Sequence, residues 1–450
     1  MAKRLWEKGE ELDSAVHEFT VGNDPELDGE LVRFDVLGSA AHARMLSAIG
    51  VLSDGELKAL LAALQEVLDK SDDGSFEIPF ELEDCHTAIE SYLTERCGEA
   101  GKKIHTGRSR NDQVITAMRL YLRDQTLAVL EELCKTVHLF AGRYRELKDI
   151  PLPGYTHFQL AMPSSLGMWL AAFAESFLEC IRNGFQVLEA LDCNPLGTAS
   201  GFYGTLPVDR GMTARLMGFS RVQRNPIATQ NSRGQYELKV LRWAVDIGSI
   251  IEKFACDLML FTTKEFGFFS LPERLTTGSS IMPQKHNPDV VELLRGRSAK
   301  IRAANSELEW VLAKLPSNYH RDFQYSKEPV MRALAHLFEM LPVLREVVIG
   351  ISPNIERLSE AMVPELYATY DAERQVKEGV SFRDAYKHTA EKVKRAQLDV
   401  GALKKDFAVV QKRIESENED AWNELSAFEN QLERELARLA EIERKLLEVN

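Results

Sequence analysis

The residues best suited to chemistry are gathered in one run, TTGSSIMPQKHNPD, at positions 276–289. Its hydroxyl, ammonium, imidazole and amide groups suit neither an apolar core nor a helix interior. We expect Lys285 and Asn287 to stand at the N-terminus of the next helix, with Asn287 as its cap, where an anion is favoured. Gly278 would let Ser279 lie on a mobile loop that closes over that anion. A structural connection between two helices is the alternative.

A second polar stretch, HTGRSRNDQ, occupies positions 105–113 and precedes a long helical pattern. Asn111 or Asp112 can cap that helix. Arg108 and Arg110 add positive charge beside the positive end of a helix dipole, which is favourable if an anion binds there. The alternative is that both arginines pair with acidic side chains.

A third polar stretch, PGYTHFQLAMPSS, occupies positions 153–165 and precedes another helical pattern. We interpret it as a loop whose polar groups are Thr156, His157 and Gln159. An imidazole can exchange protons near neutral pH, so His157 is a candidate acid or base. A histidine in a loop is more often a hydrogen-bonded structural residue, and both interpretations stay open here.

Long helical patterns flank these three stretches and must position them. Five segments have apolar residues at helical spacing and few breaking residues, namely 113–148, 164–191, 235–266, 290–315 and 328–348. Helices of 25 to 35 residues are roughly 40–50 Å long and normally pack side by side in a bundle. Few segments alternate as strands do, so we predict an all-α protein.

The chain divides into three predicted domains. Residues 1–105 form a mixed helical domain, 106–350 the long-helix bundle and 351–450 a more polar helical domain. The charged C-terminal segment has leucines and aromatic residues at helical spacing. We interpret it as an amphipathic surface helix, and the alternative is a coiled-coil partner helix whose apolar repeat would be irregular.

Composition indicates which kinds of partner the protein can bind and in which cellular compartment it works. The formal net charge is −14, from 55 basic and 69 acidic residues. This balance argues against nucleic acid or an anionic membrane as the main partner, because both require a basic surface. Six separated cysteines without a C-x-x-C pair indicate free thiols in a reducing cytoplasm. We expect neither a signal peptide nor a transmembrane helix.

The polar stretches resemble the motifs of a known family. GSSIMPQKHNPD is similar to the signature loop of the fumarase/aspartase superfamily, and HTGRSRNDQ narrows the resemblance to the argininosuccinate lyase/delta-crystallin family. Further similar motifs, in the family's order, are GYTHFQ, NPLGTASG, LPSNYHRDFQYSKE and SFRDAY. The resemblance runs from about position 5 to position 388.

The resemblance implies a fold, a reaction and an assembly. The family's subunit has three domains, and its homotetramer is built around a central bundle of twenty helices with sites shared between chains. Its reaction is the reversible elimination of fumarate from argininosuccinate to give arginine, through an aci-carboxylate carbanion. It needs no cofactor and no metal.

The resemblance also assigns catalytic roles. Ser279 matches the family's proposed base, and Lys285 with Asn287 would hold the aci-carboxylate, whose two negative charges require preorganised positive charge. His157 matches the group on the leaving-group side, and Glu292 matches its carboxylate partner. A carboxylate partner would keep a proton on the histidine.

Other matching positions are implied to bind substrate. The succinate carboxylates would be held by Ser109, Arg110, Asn111 and Thr156. The amino-acid end would be held by Tyr319, Gln324 and Lys327. Three further residues fall where the family lines the arginine side of its site, namely Ser39, Asp84 and His86.

Several positions depart from the family pattern and suggest a divergent branch. LWEKGE replaces the usual opening, Met162 replaces a glutamine, and His286 replaces the second lysine of the signature loop. NSRGQY at 231–236 stands where S-x-R-D-F is usual, so Arg233 is not aligned with confidence. Two rival functions remain, namely a fumarate-releasing lyase for another N-substituted aspartate and a non-enzymatic crystallin-like protein.

Overall fold

A computed structural model describes residues 13–449, and helices dominate this part of the chain. The departure at LWEKGE lies outside the described residues. In chain order the helices are α1 Ser14–Val21, α2 Asp24–Gly29, α3 Val32–Ala48, α4 Asp54–Asp72, α5 Cys85–Cys97, α6 Glu99–Lys103, α7 Arg110–Leu147, α8 Leu166–Leu191, α9 Arg210–Leu216, α10 Pro226–Asn231, α11 Gln235–Phe261, α12 Asp289–Leu312, α13 Lys327–Gly350, α14 Ile355–Ala361, α15 Ala368–Lys377, α16 Phe382–Lys394 and α17 Val400–Leu447. Single 3-10 turns lie at Phe80–Leu82, Glu273–Leu275, Arg321–Ser326 and Pro364–Tyr367.

The five long central helices of the sequence prediction are confirmed as α7, α8, α11, α12 and α13. α7 packs against α8 and α13, while α11 packs against α8, α12 and α13. The N-terminal helix α3 packs on α4, α5 and α7. The predicted all-α class is therefore confirmed, with a bundle at its centre.

An aromatic cluster holds the centre of the bundle together. Phe140 of α7 contacts Phe177 of α8 and Phe254 of α11, with ring centroids 5.7 and 5.6 Å apart. All three rings are fully buried. Gly184 of α8 allows a close approach, because a Cβ there would lie 2.7 Å from the Trp243 ring of α11. These contacts fix the relative positions of three helices and hence of their ends.

The N-terminus of α7 is capped differently from the prediction. Ser109 is the N-cap, and its Oγ accepts a hydrogen bond from the Asn111 N–H at 3.3 Å. Asp112 accepts one from the Ser109 N–H at 2.8 Å and so completes a capping box. Neither Asn111 nor Asp112 is the cap, because the helix already begins at Arg110 and includes both residues.

The N-terminus of α12 also departs from the prediction. The helix begins at Asp289, its N-cap is Pro288, and Asn287 makes no capping hydrogen bond. The Asn287 backbone instead pairs with Thr277 in an antiparallel bridge, with N–O distances of 2.8 and 2.9 Å. This bridge closes the predicted mobile loop at its base.

Short strands lie outside the helices. In the described residues they pair two by two, as β1 Pro151–Thr156 with β2 Gln159–Ser165, β3 Cys193–Asn194 with β4 Arg221–Val222, and β5 Phe269–Ser270 with β6 Ser352–Pro353. The loop predicted at 153–165 is therefore wrong, since β1 and β2 form an antiparallel hairpin in which Thr156 pairs with Gln159. The two-residue turn is possible because His157 and Phe158 both adopt positive φ angles, 54° and 57°.

The C-terminal helix α17 lies along the bundle and the N-terminal helices. Leu425, Leu432, Leu439 and Leu446 are buried at intervals of seven residues, and α17 contacts α3, α4, α7 and α8. This confirms an amphipathic surface helix, although its apolar repeat is more regular than the sequence analysis assumed. Ion pairs flank the leucines, among them one of 2.6 Å from Arg182 to a glutamate of α17.

Two expectations from the sequence, one about membrane-spanning helices and one about the state of the cysteines, can be compared with the structure. Across residues 13–449, no helix combines the length and the apolar character that crossing a membrane requires. All six cysteines are free thiols.

We predict that Leu425→Ala destabilises the protein by about 2–5 kcal/mol, because Leu425 is 1% exposed and its truncation leaves a cavity between α17 and the bundle. The matched control is Val409→Ala on the same helix, where the side chain is 68% exposed. Denaturant unfolding monitored by circular dichroism measures both. Equal unfolding midpoints for the two variants would contradict the packing described for α17.

Candidate active site

A polar cleft lies at one end of the bundle, where α7 and α13 begin. We call this the cleft end. The cleft is narrow, with a volume of about 30 Å³. It is lined by Asp24, Asp28, Asp84, His86, Arg110, Asn111, Val114, Arg233, Tyr319, Arg321, Gln324 and Lys327. Seven residues singled out from the sequence thus meet in one place, although they come from distant parts of the chain.

The start of α7 is held by Asp112. Its carboxylate is fully buried and accepts hydrogen bonds from the N–H groups of Ser109, Gly197 and Ala199, at 2.8, 2.9 and 2.8 Å. Burial raises the pKa of Asp112 to about 6, and the hydrogen bonds from the backbone oppose that rise. The carboxylate thereby ties the NPLGTASG segment to the helix terminus that carries Asn111.

The two arginines of the second polar stretch are occupied within the chain. Arg110 pairs with Asp84 and donates to the Thr87 hydroxyl at 2.8 Å. Arg108 is buried and donates to Ser39 Oγ at 3.0 Å. Ser39 is fully buried beside the cleft. The alternative that both arginines pair with acidic side chains is therefore observed for Arg110, whereas the hydrogen bond found for Arg108 goes to a hydroxyl.

Lys327 is buried in an ionic cluster. Its ammonium lies 2.7 Å from Asp24 and 2.6 Å from Asp28, and the residue is 3% exposed. Burial lowers the pKa of Lys327, but the two carboxylates outweigh burial and raise it overall. Burial raises the pKa of Asp24, whereas Lys327 holds that of Asp28 down. The ammonium therefore bridges the two carboxylates.

Gln324 and Tyr319 complete the wall of the cleft opposite α7. The Gln324 amide donates to the carbonyl oxygens of Thr20 and Val21, both at 3.1 Å. It therefore connects the N-terminal segment to the segment before α13. The Tyr319 ring packs against Phe323, with centroids 6.3 Å apart.

His86 lies at the base of the cleft. Its Nδ1 is 3.0 Å from Asp35, and its Nε2 is buried without a hydrogen-bond partner. Asp28, Cys85 and His86 place potential metal-ligand atoms within 4.8 Å of one another. They fit a metal poorly, because Asp28 already accepts Lys327 and burial raises the pKa of the Cys85 thiol, which disfavours the thiolate.

The remaining predicted residues lie at the other end of the bundle, which we call the hairpin end. His157 is exposed at the tip of the β1–β2 hairpin, and Thr156 is its exposed neighbour. Two successive non-glycine residues with positive φ are energetically unfavourable. A hairpin that holds a histidine in this conformation and presents it to solvent is an arrangement typical of functional sites.

The signature loop also lies at the hairpin end, before α12. Ser279 Oγ accepts hydrogen bonds from the N–H groups of Ile281 and Met282, at 3.3 and 3.2 Å. Lys285 is exposed, and Ile281 is 86% exposed although it is apolar. Glu292 is exposed in the first turn of α12 and forms no ion pair with His157 within the described chain. The loop thus presents its polar groups outward.

The bundle separates these two groups of residues. α7 starts at the cleft end and has 38 residues before the chain turns into the hairpin, a length of roughly 57 Å. α12 starts at the signature loop and ends beside Gly234 at the cleft end, where Leu312 would contact an added Cβ at 2.5 Å. The predicted catalytic residues and most of the predicted binding residues therefore do not meet within one chain.

Five residues of the cleft lining were not candidates in the sequence analysis, namely Asp24, Asp28, Val114, Arg233 and Arg321. Asp24 and Asp28 are one helical turn apart in GNDPELD, and that spacing places both carboxylates on one face. Arg233 was noted only as a residue of uncertain alignment, yet it is buried in the cleft wall. No periodic pattern would have revealed it, because it stands in a turn before α11.

Comparison with known proteins places these features in a family. A family model described as Lyase matches residues 10–303. The argininosuccinate lyase of Xylella fastidiosa is 43% identical over 89% of this chain and 90% of its own length. That of Phocaeicola vulgatus is 40% identical over 86% of this chain and 87% of its own length.

Solved structures share the fold. EDDS lyase in complex with formate superposes with a TM-score of 0.80 at 20% identity, covering 98% of this chain and 96% of that one. A class II fumarase from Schistosoma mansoni gives a TM-score of 0.70 at 17% identity, covering 85% and 91%. Sequence identity over nearly the whole chain, rather than fold alone, decides the family. The chain is a lyase and belongs to the argininosuccinate lyase family of the fumarase/aspartase superfamily.

Proposed function

We propose that the chain catalyses the reversible cleavage of argininosuccinate into arginine and fumarate, a step of arginine biosynthesis. The observation that carries the proposal is the signature loop, which keeps Ser279, Lys285 and Asn287, in a chain that aligns over about nine-tenths of its length with argininosuccinate lyases. The reaction begins with loss of a proton beside a carboxylate. The resulting aci-carboxylate carries two negative charges, and Lys285 with Asn287 supplies the compensating charge and hydrogen bonds.

Ser279 is the proposed base. A serine hydroxyl is a poor base unless its alkoxide is stabilised. The N–H groups of Ile281 and Met282 already point at its Oγ, and these donors stabilise a negative oxygen more than a neutral one. Lys285 adds a positive charge on the same loop.

His157 is the proposed proton donor to the leaving nitrogen, with Glu292 as its partner. The hairpin tip exposes the imidazole, which suits a group that must reach into a site completed by another chain. Glu292 of that other chain would then keep the imidazole protonated.

The assembly we propose is a homotetramer with a twenty-helix bundle and shared sites. The signature loop, which stabilises the carbanion, and the cleft, which holds the amino-acid end, must contact the same substrate molecule. Within one chain, however, the loop and the cleft lie at opposite ends of the bundle. Ends from different subunits can meet if the chains pack antiparallel. Leu293 of α12 and Val343 of α13 are exposed beside an apolar groove between these helices, as a bundle interface requires.

Two further points of the proposal concern organisation. We keep the division into domains at 1–105, 106–350 and 351–450, although α17 packs back along the bundle. We place the protein in the cytoplasm, where free thiols persist.

The test of the proposed function is release of fumarate, which absorbs in the ultraviolet, from a panel of N-substituted aspartates. We expect argininosuccinate to give the highest kcat/KM. Preference for another member of the panel would identify a different fumarate-releasing lyase. No turnover of any member by the folded protein would indicate a crystallin-like role.

We predict that Ser279→Ala lowers kcat by a factor of about 10² or more and leaves substrate binding nearly unchanged, because the base is lost while the binding groups remain. Ser280→Ala, on the adjacent exposed serine, is the matched control and should retain activity. Initial rates over a range of substrate concentrations separate kcat from KM. A near-normal kcat in Ser279→Ala would remove this residue from the role of base.

We predict that His157→Asn and Lys285→Met are each inactive and that mixing them restores activity. If one site takes the two residues from different subunits, about a quarter of the sites in randomly mixed tetramers draw both from unmutated chains. Mass spectrometry verifies subunit exchange, and fumarate release measures recovery. Complete exchange without recovery would show that one subunit supplies both residues.

A further inference from the structure

Arg233 is a buried cation without a direct ion pair in the described chain, although the carboxylates of Asp24 and Glu237 lie close enough to interact with it electrostatically. The residue is 6% exposed and lines the cleft. Its Nε is buried without a partner, and among residues 13–449 none of its N–H groups donates a hydrogen bond to an oxygen. A buried guanidinium without an acceptor is costly, so a ligand that supplies oxygen atoms would remove that cost.

Aromatic rings hold this guanidinium in place. Its Cζ lies 5.5 Å from the centroid of the Tyr319 ring and 5.9 Å from that of Phe323. Gly234, with a φ of 81°, then turns the chain into α11. Rings orient a guanidinium without satisfying its donors, so the fork of N–H groups stays available to a planar acceptor.

Two other cations of this cleft are already neutralised by carboxylates. Arg110 pairs with Asp84, and Lys327 pairs with Asp24 and Asp28. Arg321 is exposed at the cleft and donates to a backbone carbonyl. Arg233 is therefore the buried cation of the described cleft that has no oxygen partner.

We propose that Arg233 binds the α-carboxylate of the amino-acid half of the substrate, an inference that rests on the proposed function. The neighbouring Asp24–Asp28–Lys327 cluster has two carboxylates and one ammonium. Once a ligand carboxylate compensates the charge of Arg233, the remaining negative charge of this cluster suits an α-ammonium group. The carboxylate cluster can accept hydrogen bonds from an α-ammonium group, and Arg233 can donate to an α-carboxylate. Together they match the free amino-acid end of the substrate. The succinate end of the substrate would bind Lys285 and Asn287, which lie at the hairpin end of the bundle and would be supplied by another chain.

The experiment compares binding of L-arginine and L-argininamide, which differ only in replacing the carboxylate by a neutral amide. Titration calorimetry on the intact protein measures both affinities, and product inhibition measures fumarate binding. The wild type should prefer arginine by about ten- to a hundredfold, as expected for a charge-assisted bidentate contact. Arg233→Gln should abolish this preference and leave the fumarate inhibition constant unchanged.

Two variants serve as controls. Arg242→Gln changes an arginine on the surface of α11, paired with Glu309 at 3.3 Å, and should retain the wild-type preference. Arg233→Lys keeps the charge without the planar fork and should retain part of it. The ratio of affinities within one variant is insensitive to a general loss of stability.

The outcomes separate the two proposals. Preference for arginine retained in Arg233→Gln would overturn the inference, and so would a loss of fumarate affinity, which would place Arg233 at the succinate end. If the wild type neither cleaves argininosuccinate nor binds arginine, the same pair of variants is tested with other amino acids and their amides. An Arg233-dependent preference for one of those amino acids would reject the proposed substrate and support Arg233 as the carboxylate ligand.

Discussion

The length of the central helices is the constraint on which the rest of the structure depends. α7 is a continuous helix of 38 residues packed through buried aromatic rings, so residues at its two ends lie tens of ångströms apart. Each end is therefore specialised. The cleft end contains buried ion pairs, and the hairpin end presents a histidine and a polar loop to the outside.

This division explains why the two ends differ in rigidity and exposure. At the cleft end, Asp112 and Lys327 are buried and connect elements that are far apart in the sequence. At the hairpin end, Lys285 and Glu292 are exposed, and Ser279 bonds only to its own loop. In the proposed shared site, the groups that contact a second chain must remain accessible. The groups that form the binding wall bind more tightly when they are fixed before the ligand arrives.

Electrostatics within the cleft depends on which charges the protein satisfies by itself. Carboxylates neutralise Arg110 and Lys327. These two cations line the cleft, but their charge is largely compensated within the chain. Arg233 packs against the rings of Tyr319 and Phe323, forms no direct ion pair in the described chain, and retains its capacity to bind an anion. Burial makes this distinction important, because an unsatisfied charge costs far more there than at the surface.

The sequence by itself determined the five central helices, the all-α class and the family, since helical periodicity and long motifs are local properties of the chain. It did not determine the β1–β2 hairpin, whose turn forms at His157 and Phe158 against their conformational preference. Nor did it identify Ser109 as the cap of α7, because several adjacent polar residues could have filled that role. Tertiary structure alone decided which residues share the cleft and that Arg233 is buried there unpaired. Such contacts join positions up to about three hundred residues apart, as in Lys327 with Asp28, and no local pattern encodes them.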